Sequence, residues 1–394
     1  MVVGIFTDTY PPDINGVATA SETLGIELEK LGCEVIVVTT NLAGHSKIER
    51  EGNVIRIPGI VIKSLYSYRM ASPFSVRAYD LLKGVHLDLI HVQTEYGIGM
   101  FGRLLARIRG IPLVYTYHNL YRDFTYMISK GNRAVDWALQ RFISVFSKNW
   151  AEAPAEFTTP SKKTADILRS YGIDRYINVI PNGIDLSMYT PTPELVEKAR
   201  ERRKNMGLED YEVLSAVGRV GQEKGLDFVL KCLRRYIDET DDERVRLLIV
   251  GDGPYAPQIS QCIKDLWLDD YVTMTGRIPH DQIPEIYAMS DILITGSKSE
   301  TQGLTVNEAM ASRCLVLARE DLSFADSIVD GETGFYFSDP DTFTEKLKHI
   351  LGMSEEEREK IRDTAQRRDL DRYSPKRFAE EMMNVYKRAL RRYW

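Results

Sequence analysis

The sequence predicts an α/β protein made of two doubly wound parallel-sheet domains. Three observations carry this expectation. Short apolar runs rich in β-branched residues alternate with segments of helical period along the chain. The alternation halts at Pro181-Asn182-Gly183, crosses a polar stretch at 190–205 and restarts with Val213-Leu214-Ser215-Ala216-Val217. The 394 residues are also enough for two separate cores. The expected division is a first domain at 1–185, a second at 186–374, and a final helix at 375–394.

Val2–Thr7 reads as the first buried strand. A loop containing Pro11 and Pro12 leads to Asn15-Gly16-Val17, and Leu24, Leu28 and Leu31 then line one face of a helix that stops at Gly32. Asn15 and Gly16 thus fall between a strand and a helix start, where glycine lets an anion approach the backbone. Asn-Gly is equally a common turn, so both readings stand. No Gly-Lys-Ser/Thr follows and no G-x-G-x-x-G is present, which excludes a P-loop and a dinucleotide fingerprint here. Glu34–Thr40, Leu87–Gln93 and Pro112–Tyr117 are further strands, with a helix at Gly97–Arg109. His118 ends the Pro112–Tyr117 strand, the place where ligands meet open parallel sheets. A lone histidine there is otherwise structural or exposed. Asp8, just after strand one, is a candidate to assist at the same place.

Glu156–Ser161 and Tyr176–Ile180 complete the first set, and 190–205 reads as a linker entering a helix. In the second half, Gly218-Arg219-Val220-Gly221-Gln222-Glu223-Lys224-Gly225 follows a buried strand and offers two cations at its end. Strands at Arg246–Val250 and Tyr271–Thr275 end in Gly251-Asp252-Gly253-Pro254 and Gly276-Arg277-Ile278. Strand Ser290–Thr295 then runs into Gly296-Ser297-Lys298-Ser299-Glu300-Thr301-Gln302-Gly303-Leu304-Thr305-Val306-Asn307-Glu308-Ala309-Met310. Leu304, Val306, Ala309 and Met310 recur at helical spacing, so a helix starts near Gly303. Glu300 precedes the turn and Glu308 lies inside the helix; together they can hold sugar hydroxyls while the amides of Gly303, Leu304 and Thr305 face a phosphate. Leu315–Ala318 and Gly334–Phe337 finish the sheet.

The string Ser-Glu-Thr-Gln-Gly-Leu-Thr followed by Asn-Glu-Ala resembles the E-x7-E motif of retaining family 4 glycosyltransferases of GT-B fold, and among them the bacterial 1,2-diacylglycerol 3-glucosyltransferases. The likeness extends to Asn15-Gly16, Tyr117-His118-Asn119, Arg219 with Lys224, and Gly251–Pro254. It implies two Rossmann-like domains facing a cleft, the last helix crossing back onto the first. It further implies a hexose, glucose from UDP-glucose, passed to a lipid hydroxyl with retention. Arg219 and Lys224 would meet the leaving diphosphate with the amides near Asn15, Gly16 and Gly303. Glu300 would hold the sugar and Glu308 the ribose. The backbone of Gly276, Arg277 and Ile278 would hold the base, and His118 would touch the transferred sugar. Neither metal nor other cofactor is implied. Two places depart from the pattern: Arg122 precedes Asp123 after the histidine, and Asp321–Asp326 lacks the Gly-Gly-x-x-Glu signal.

Net charge is −6, but residues 56–148 carry 13 basic against 5 acidic groups. A basic region on an acidic protein points to an anionic partner, and a lipid headgroup layer fits better than nucleic acid. Basic and aromatic residues mix in two segments. One holds Lys63, Tyr66, Tyr68 and Arg69; the other spans 121–150 and includes Arg122, Trp137 and Arg141. The second reads either as an interfacial helix or as a core helix with a solvated basic face. Four scattered cysteines, no basic leader and no long apolar span give the expectation of a cytoplasmic protein held peripherally on the inner membrane face. Competing readings are a related transferase with a soluble acceptor, a GT-B sugar-nucleotide epimerase, and an inactive membrane-binding protein.

Overall fold

A computed structural model describes all residues except 14, 42–46, 63–67, 119–131, 299 and 394. It divides into two compact units: Met1–Ile184 together with Tyr373–Trp394, and Asp185–Arg372.

The first unit contains β1 (Val2–Phe6), β2 (Glu34–Thr40), β3 (Glu49–Glu51), β4 (Val54–Ile57), β5 (Gly59–Ile62), β6 (Tyr68–Ala71), β7 (Leu89–Val92), β8 (Leu113–Thr116), β9 (Glu156–Thr159) and β10 (Asn178–Val179). Eight of them form one sheet in the order β10-β9-β8-β7-β1-β2-β4-β3, parallel except for the β3–β4 pair, and β5 and β6 make a separate antiparallel pair. Its helices are α1 (Gly16–Lys30), α2 (Val76–Lys83), α3 (Gly97–Arg109), α4 (Arg133–Glu152) and α5 (Lys162–Ser170).

Strand alternation sorts the apolar residues onto the two faces of this sheet. Ile36 and Val38 enter one core with Val92, Phe101 and Tyr115, while Val35 and Val37 enter another with Val3, Ile5, Leu24 and Leu28. The second core is closed by the last helix of the chain, Pro375–Tyr393, through Phe378, Met382, Val385 and Tyr386. Each such buried side chain contributes about 1.5–3 kcal/mol, so this helix belongs to the first unit energetically as well as by contact. Arg392 and Arg388 add ion pairs to buried Glu156 on β9, at 3.1 and 3.6 Å.

The second unit has six parallel strands: β11 (Glu212–Val217), β12 (Val245–Val250), β13 (Val272–Gly276), β14 (Ile292–Thr295), β15 (Leu315–Arg319) and β16 (Phe335–Phe337). Their order, β13-β12-β11-β14-β15-β16, reverses direction between β11 and β14. The helices are α6 (Pro193–Asn205), α7 (Leu226–Thr240), α8 (Ala256–Asp265), α9 (Ile283–Met289), α10 (Leu304–Ala311), α11 (Pro340–Gly352) and α12 (Glu355–Arg372), and the returning helix is α13. The stretch 190–205, expected as a linker entering a helix, is helix over Pro193–Asn205. Thr192 caps it and Pro193 sits in its first turn, where a missing N–H costs nothing.

Candidate active site

The β11/β14 reversal is where an open parallel sheet binds ligands, because the two connections leave in opposite directions and part above the strand ends. The loop after β11 carries Arg219 and Lys224; the loop after β14 carries Glu300. Glycine lets the two backbones touch. A Cβ on Gly225, whose φ is +61°, would stand 2.5 Å from the Gly296 carbonyl oxygen, and one on Gly296 would stand 2.6 Å from that of Gly225. The sequence-predicted Arg219, Lys224, Glu300 and Thr305 consequently line one pocket, with Gly218, Thr295 and Gly296.

Within it the charges are paired. Lys224 Nζ donates to Glu300 Oε1, and Arg219 donates to Glu223 at 2.5 Å. Glu223 escaped the sequence reading, although Arg219 four residues earlier is the spacing at which helical side chains meet. Gly303 opens α10 with φ at +75°, a conformation that strains other residues. A Cβ there would also lie 2.6 Å from the ring of Phe324. Gly303 offers no side chain to cap α10, and among the described residues no acceptor meets the amides of Leu304 and Thr305, so they can face an incoming anion.

Glu308 lies one turn further along α10. Tyr287 donates to its Oε2 at 2.9 Å, and Tyr189 hydrogen-bonds it as well. The residue keeps some surface, but desolvation of the carboxyl beside the two tyrosines, only partly offset by their hydrogen bonds, pushes it up to about 7. Next to it, Asn307 is fully buried and donates 2.8 Å bonds to Ser327 Oγ and Asp369 Oδ2. These bonds anchor the helix that carries both Glu308 and the free amides. None of Tyr189, Tyr287, Asn307 or Asp369 was singled out from sequence. Gly276–Ile278 stands two strands away at the end of β13. Gly276 accepts from the Gly251 N–H, Arg277 is exposed, and Ile278 packs into the core around Leu248 and Ile286.

In the first unit the strand order reverses between β1 and β7. Asp8, expected to assist chemistry, is occupied otherwise. One oxygen accepts from Thr94 at 2.6 Å and the other from the Ile98 N–H at 2.9 Å, so the carboxylate caps α3. Asn15 is likewise the cap of α1: its Oδ1 accepts from the amides of Val17 and Ala18, and its Nδ2 donates to Thr9 at 2.7 Å. Two of the amides expected to meet a diphosphate are thus already satisfied, while Gly16 is exposed. His118 follows β8, is buried, and places Nε2 2.6 Å from Gln93 Oε1. Burial pulls it down to about 4, so the ring is neutral at physiological pH.

The basic-aromatic residues separate. Lys63, Tyr66 and Arg122 lie outside the described residues, and of Tyr68 only the backbone, in β6, is described. Arg69 does not project freely: it pairs with Asp13 at 2.9 Å and donates to the Asn41 carbonyl, tying β6 to the loop after β1. Helix α4 behaves differently. Trp150, Ala151 and Ser147 are buried, whereas Trp137 is 70% exposed, Phe142 66% and Val145 59%, beside exposed Arg133, Arg141 and Lys148. One face of α4 thus packs into the core through Trp150 and Ala151, and the other presents aromatic and basic residues together. Among the described residues, no three His, Cys, Asp or Glu side chains are grouped to hold a metal ion. No described helix is long and apolar enough to cross a membrane.

Residues 14–188 match the profile described as Glycosyltransferase Family 4, and residues 197–368 the one described as Glycosyl transferases group 1. The alpha-monoglucosyldiacylglycerol synthase of Streptococcus pneumoniae is 33% identical over 319 residues, 81% of this chain and 71% of that protein. Its namesake in Acholeplasma laidlawii is 30% identical over 354 residues, 89% of this chain and 88% of that one. The chain is a family 4 glycosyltransferase. Solved structures agree on the fold of this glycosyltransferase. Anabaena HepE in complex with UDP superimposes with a TM-score of 0.74 at 16% identity, covering 98% of this chain and all of the other. Sucrose-phosphate synthase of Thermosynechococcus elongatus gives 0.75 at 18% identity, covering 98% of each. The GT-B architecture of two Rossmann-like domains expected from sequence is thereby established.

Proposed function

We propose that this glycosyltransferase moves glucose from UDP-glucose to the free hydroxyl of diacylglycerol, with retention at the anomeric carbon and no metal ion. The single observation that carries the transfer is the Lys224–Glu300 pair beside the uncapped start of α10. One side chain is built to meet a departing anion and its partner to hold the sugar. The acceptor rests on the two relatives whose names specify a diacylglycerol product, and on the apolar and cationic face of α4.

The barrier lies in breaking the bond between the anomeric carbon and the diphosphate while positive charge builds on the sugar ring. Lys224 and Arg219, released from Glu300 and Glu223 by the incoming anion, neutralise the developing charge, and the Leu304 and Thr305 amides add fixed dipoles. Glu300, freed from Lys224, accepts from sugar hydroxyls. Glu308 accepts from the ribose hydroxyls once it has lost its proton. Neutral His118 bonds a hydroxyl of the transferred sugar. The acceptor oxygen forms its bond on the face the diphosphate leaves, and its proton passes to the departing phosphate oxygen, so no separate base is required.

Membrane attachment follows from the same face of α4. Trp137, Phe142 and Val145 enter the acyl boundary while Arg133, Arg141 and Lys148 meet anionic headgroups, an arrangement typical of interfacial helices. The enzyme then works peripherally on the cytoplasmic leaflet, where its lipid acceptor and its soluble donor coexist. The test is nucleoside diphosphate release from UDP-, ADP- and GDP-glucose, with and without anionic vesicles containing diacylglycerol. Release from UDP-glucose that depends on diacylglycerol is expected. Equal release without the lipid, or a preference for another base, overturns the acceptor or the donor assignment respectively.

A further inference from the structure

Beneath His118 runs a chain of buried polar groups that the proposed reaction leaves unexplained. It begins at Tyr386 on α13, whose hydroxyl stands 2.7 Å from His91 Nδ1. His91 Nε2 stands 2.7 Å from Thr116 Oγ1, which is bonded to Thr158, and Thr158 Oγ1 lies 3.5 Å from the Tyr115 carbonyl. Either threonine hydroxyl can donate to the other, so the directions follow the His91 tautomer: with Nε2 protonated, Thr116 accepts from His91, Thr158 accepts from Thr116, and Nδ1 accepts from Tyr386. His91 is wholly buried and stays neutral, which matches a ring with a single N–H.

Gln93 reads this ring. Its amide nitrogen lies 3.1 Å from His91 Nδ1 and 3.3 Å from Nε2. Both ring nitrogens already have shorter in-plane partners. An in-plane point equally far from both would collide with the carbon between them. The amide therefore sits over the ring face, with its N–H toward the π electrons. That contact turns the other end of the amide, the acceptor Oε1, toward His118 Nε2. An acceptor at this position requires Nε2 to carry the proton. Among the described residues the hydrogen bond to Gln93 is the one made by the His118 ring, through Nε2 and not Nδ1.

We propose that Gln93, oriented by the face of His91 and through it by Tyr386 of the last helix, is a positioning residue that holds His118 in its Nε2–H tautomer and reserves Nδ1 as an acceptor for a substrate hydroxyl. The inference rests on the assignment of His118 to the sugar, but the tautomer is observable without it. It also gives the returning helix a task beyond packing: its hydroxyl starts the chain that ends at the sugar-facing histidine.

The test is nitrogen NMR of the full chain labelled at histidine, with signals assigned by single His→Gln changes, alongside steady-state kinetics. The wild type should show His118 with Nε2 protonated and Nδ1 bare. Gln93→Ala should give a mixed tautomer and a fall in kcat/KM of about five- to tenfold, the worth of one neutral hydrogen bond. Gln93→Glu keeps the size and the acceptor but adds a charge that draws a proton onto His118. Activity should then fall as pH drops through the raised value, a limb absent from the wild type; among the described residues the titratable group otherwise set against His118 is His91, which stays neutral. Tyr386→Phe, which removes one oxygen and leaves the core intact, should release the His91 tautomer. A single Nε2–H tautomer retained in Gln93→Ala overturns the proposal. A lost tautomer with unchanged kinetics supports the relay and removes His118 from sugar binding.

Discussion

Replacing Glu308 by glutamine removes a titrating charge yet keeps an acceptor for Tyr287 and Tyr189. In the free protein this carboxyl is pushed up to about 7 by desolvation. About one-tenth of it is ionised at pH 6 and about nine-tenths at pH 8. Ribose hydroxyls donate to the ionised form, so nucleotide affinity should rise about tenfold between those pH values and release a proton on binding. Glu308→Gln should flatten this slope. Stability should move in the opposite sense. The folded value lies above the unfolded one, so this group's contribution is fully present below about pH 4 and is lost as pH rises through about 7. The difference of roughly 2.5 units, at about 1.4 kcal/mol per unit, makes the variant about 3 kcal/mol more stable than wild type at pH 8 and no different near pH 4. Titration calorimetry with UDP in buffers of different ionisation enthalpy measures the proton, and thermal melts at both pH values measure the stability. A slope that survives in Glu308→Gln, or a variant less stable at pH 8, refutes the assignment.

Lys224→Ala should lower kcat about 100-fold, the cost of one donor aimed at developing charge; adding Glu300→Gln should cost less than the two single effects combined, because the groups are paired. Gly303→Ala should strain the left-handed turn and push on Phe324. The expected outcome is a loss of about 1–3 kcal/mol in a denaturant melt and a raised KM for the donor. Trp137→Ala with Phe142→Ala removes side chains worth about 1.5–3 kcal/mol each when fully buried. Sedimentation with anionic vesicles should fall at least tenfold, while turnover on a soluble diacylglycerol analogue stays near wild type.

The fold was legible because both sheets are built from short runs buried on both faces, and because turns such as Pro181-Asn182-Gly183 punctuate them. The β3–β4 pair was not, since Glu49–Glu51 carries no apolar pattern, and its place is set by pairing with β4 rather than by its own residues. In the site, Arg219, Lys224, Glu300 and Gly303 were singled out from short local motifs, although Lys224 and Glu300, 76 residues apart, meet only where the loops after β11 and β14 come together. Asn15 was readable as a turn, but its capping bonds depend on how the helix enters. Tyr189, Tyr287 and Gln93 were invisible for a different reason: they come from separate elements and meet Glu308 or His118 only through tertiary packing. The exposed face of α4 was suggested by composition, yet only measured exposure separates Trp137 and Phe142 from Trp150, an aromatic of the same helix that is 3% exposed and fills the core.

The most direct measurement is transfer from UDP-glucose into mixed micelles of diacylglycerol and anionic lipid, followed by mass analysis and anomeric proton NMR of the extracted lipid. The proposed reaction predicts a lipid heavier by one hexose, joined through an α-linkage as in the donor. A β-linked product contradicts retention, and an unmodified lipid in the presence of active, UDP-releasing enzyme contradicts the acceptor.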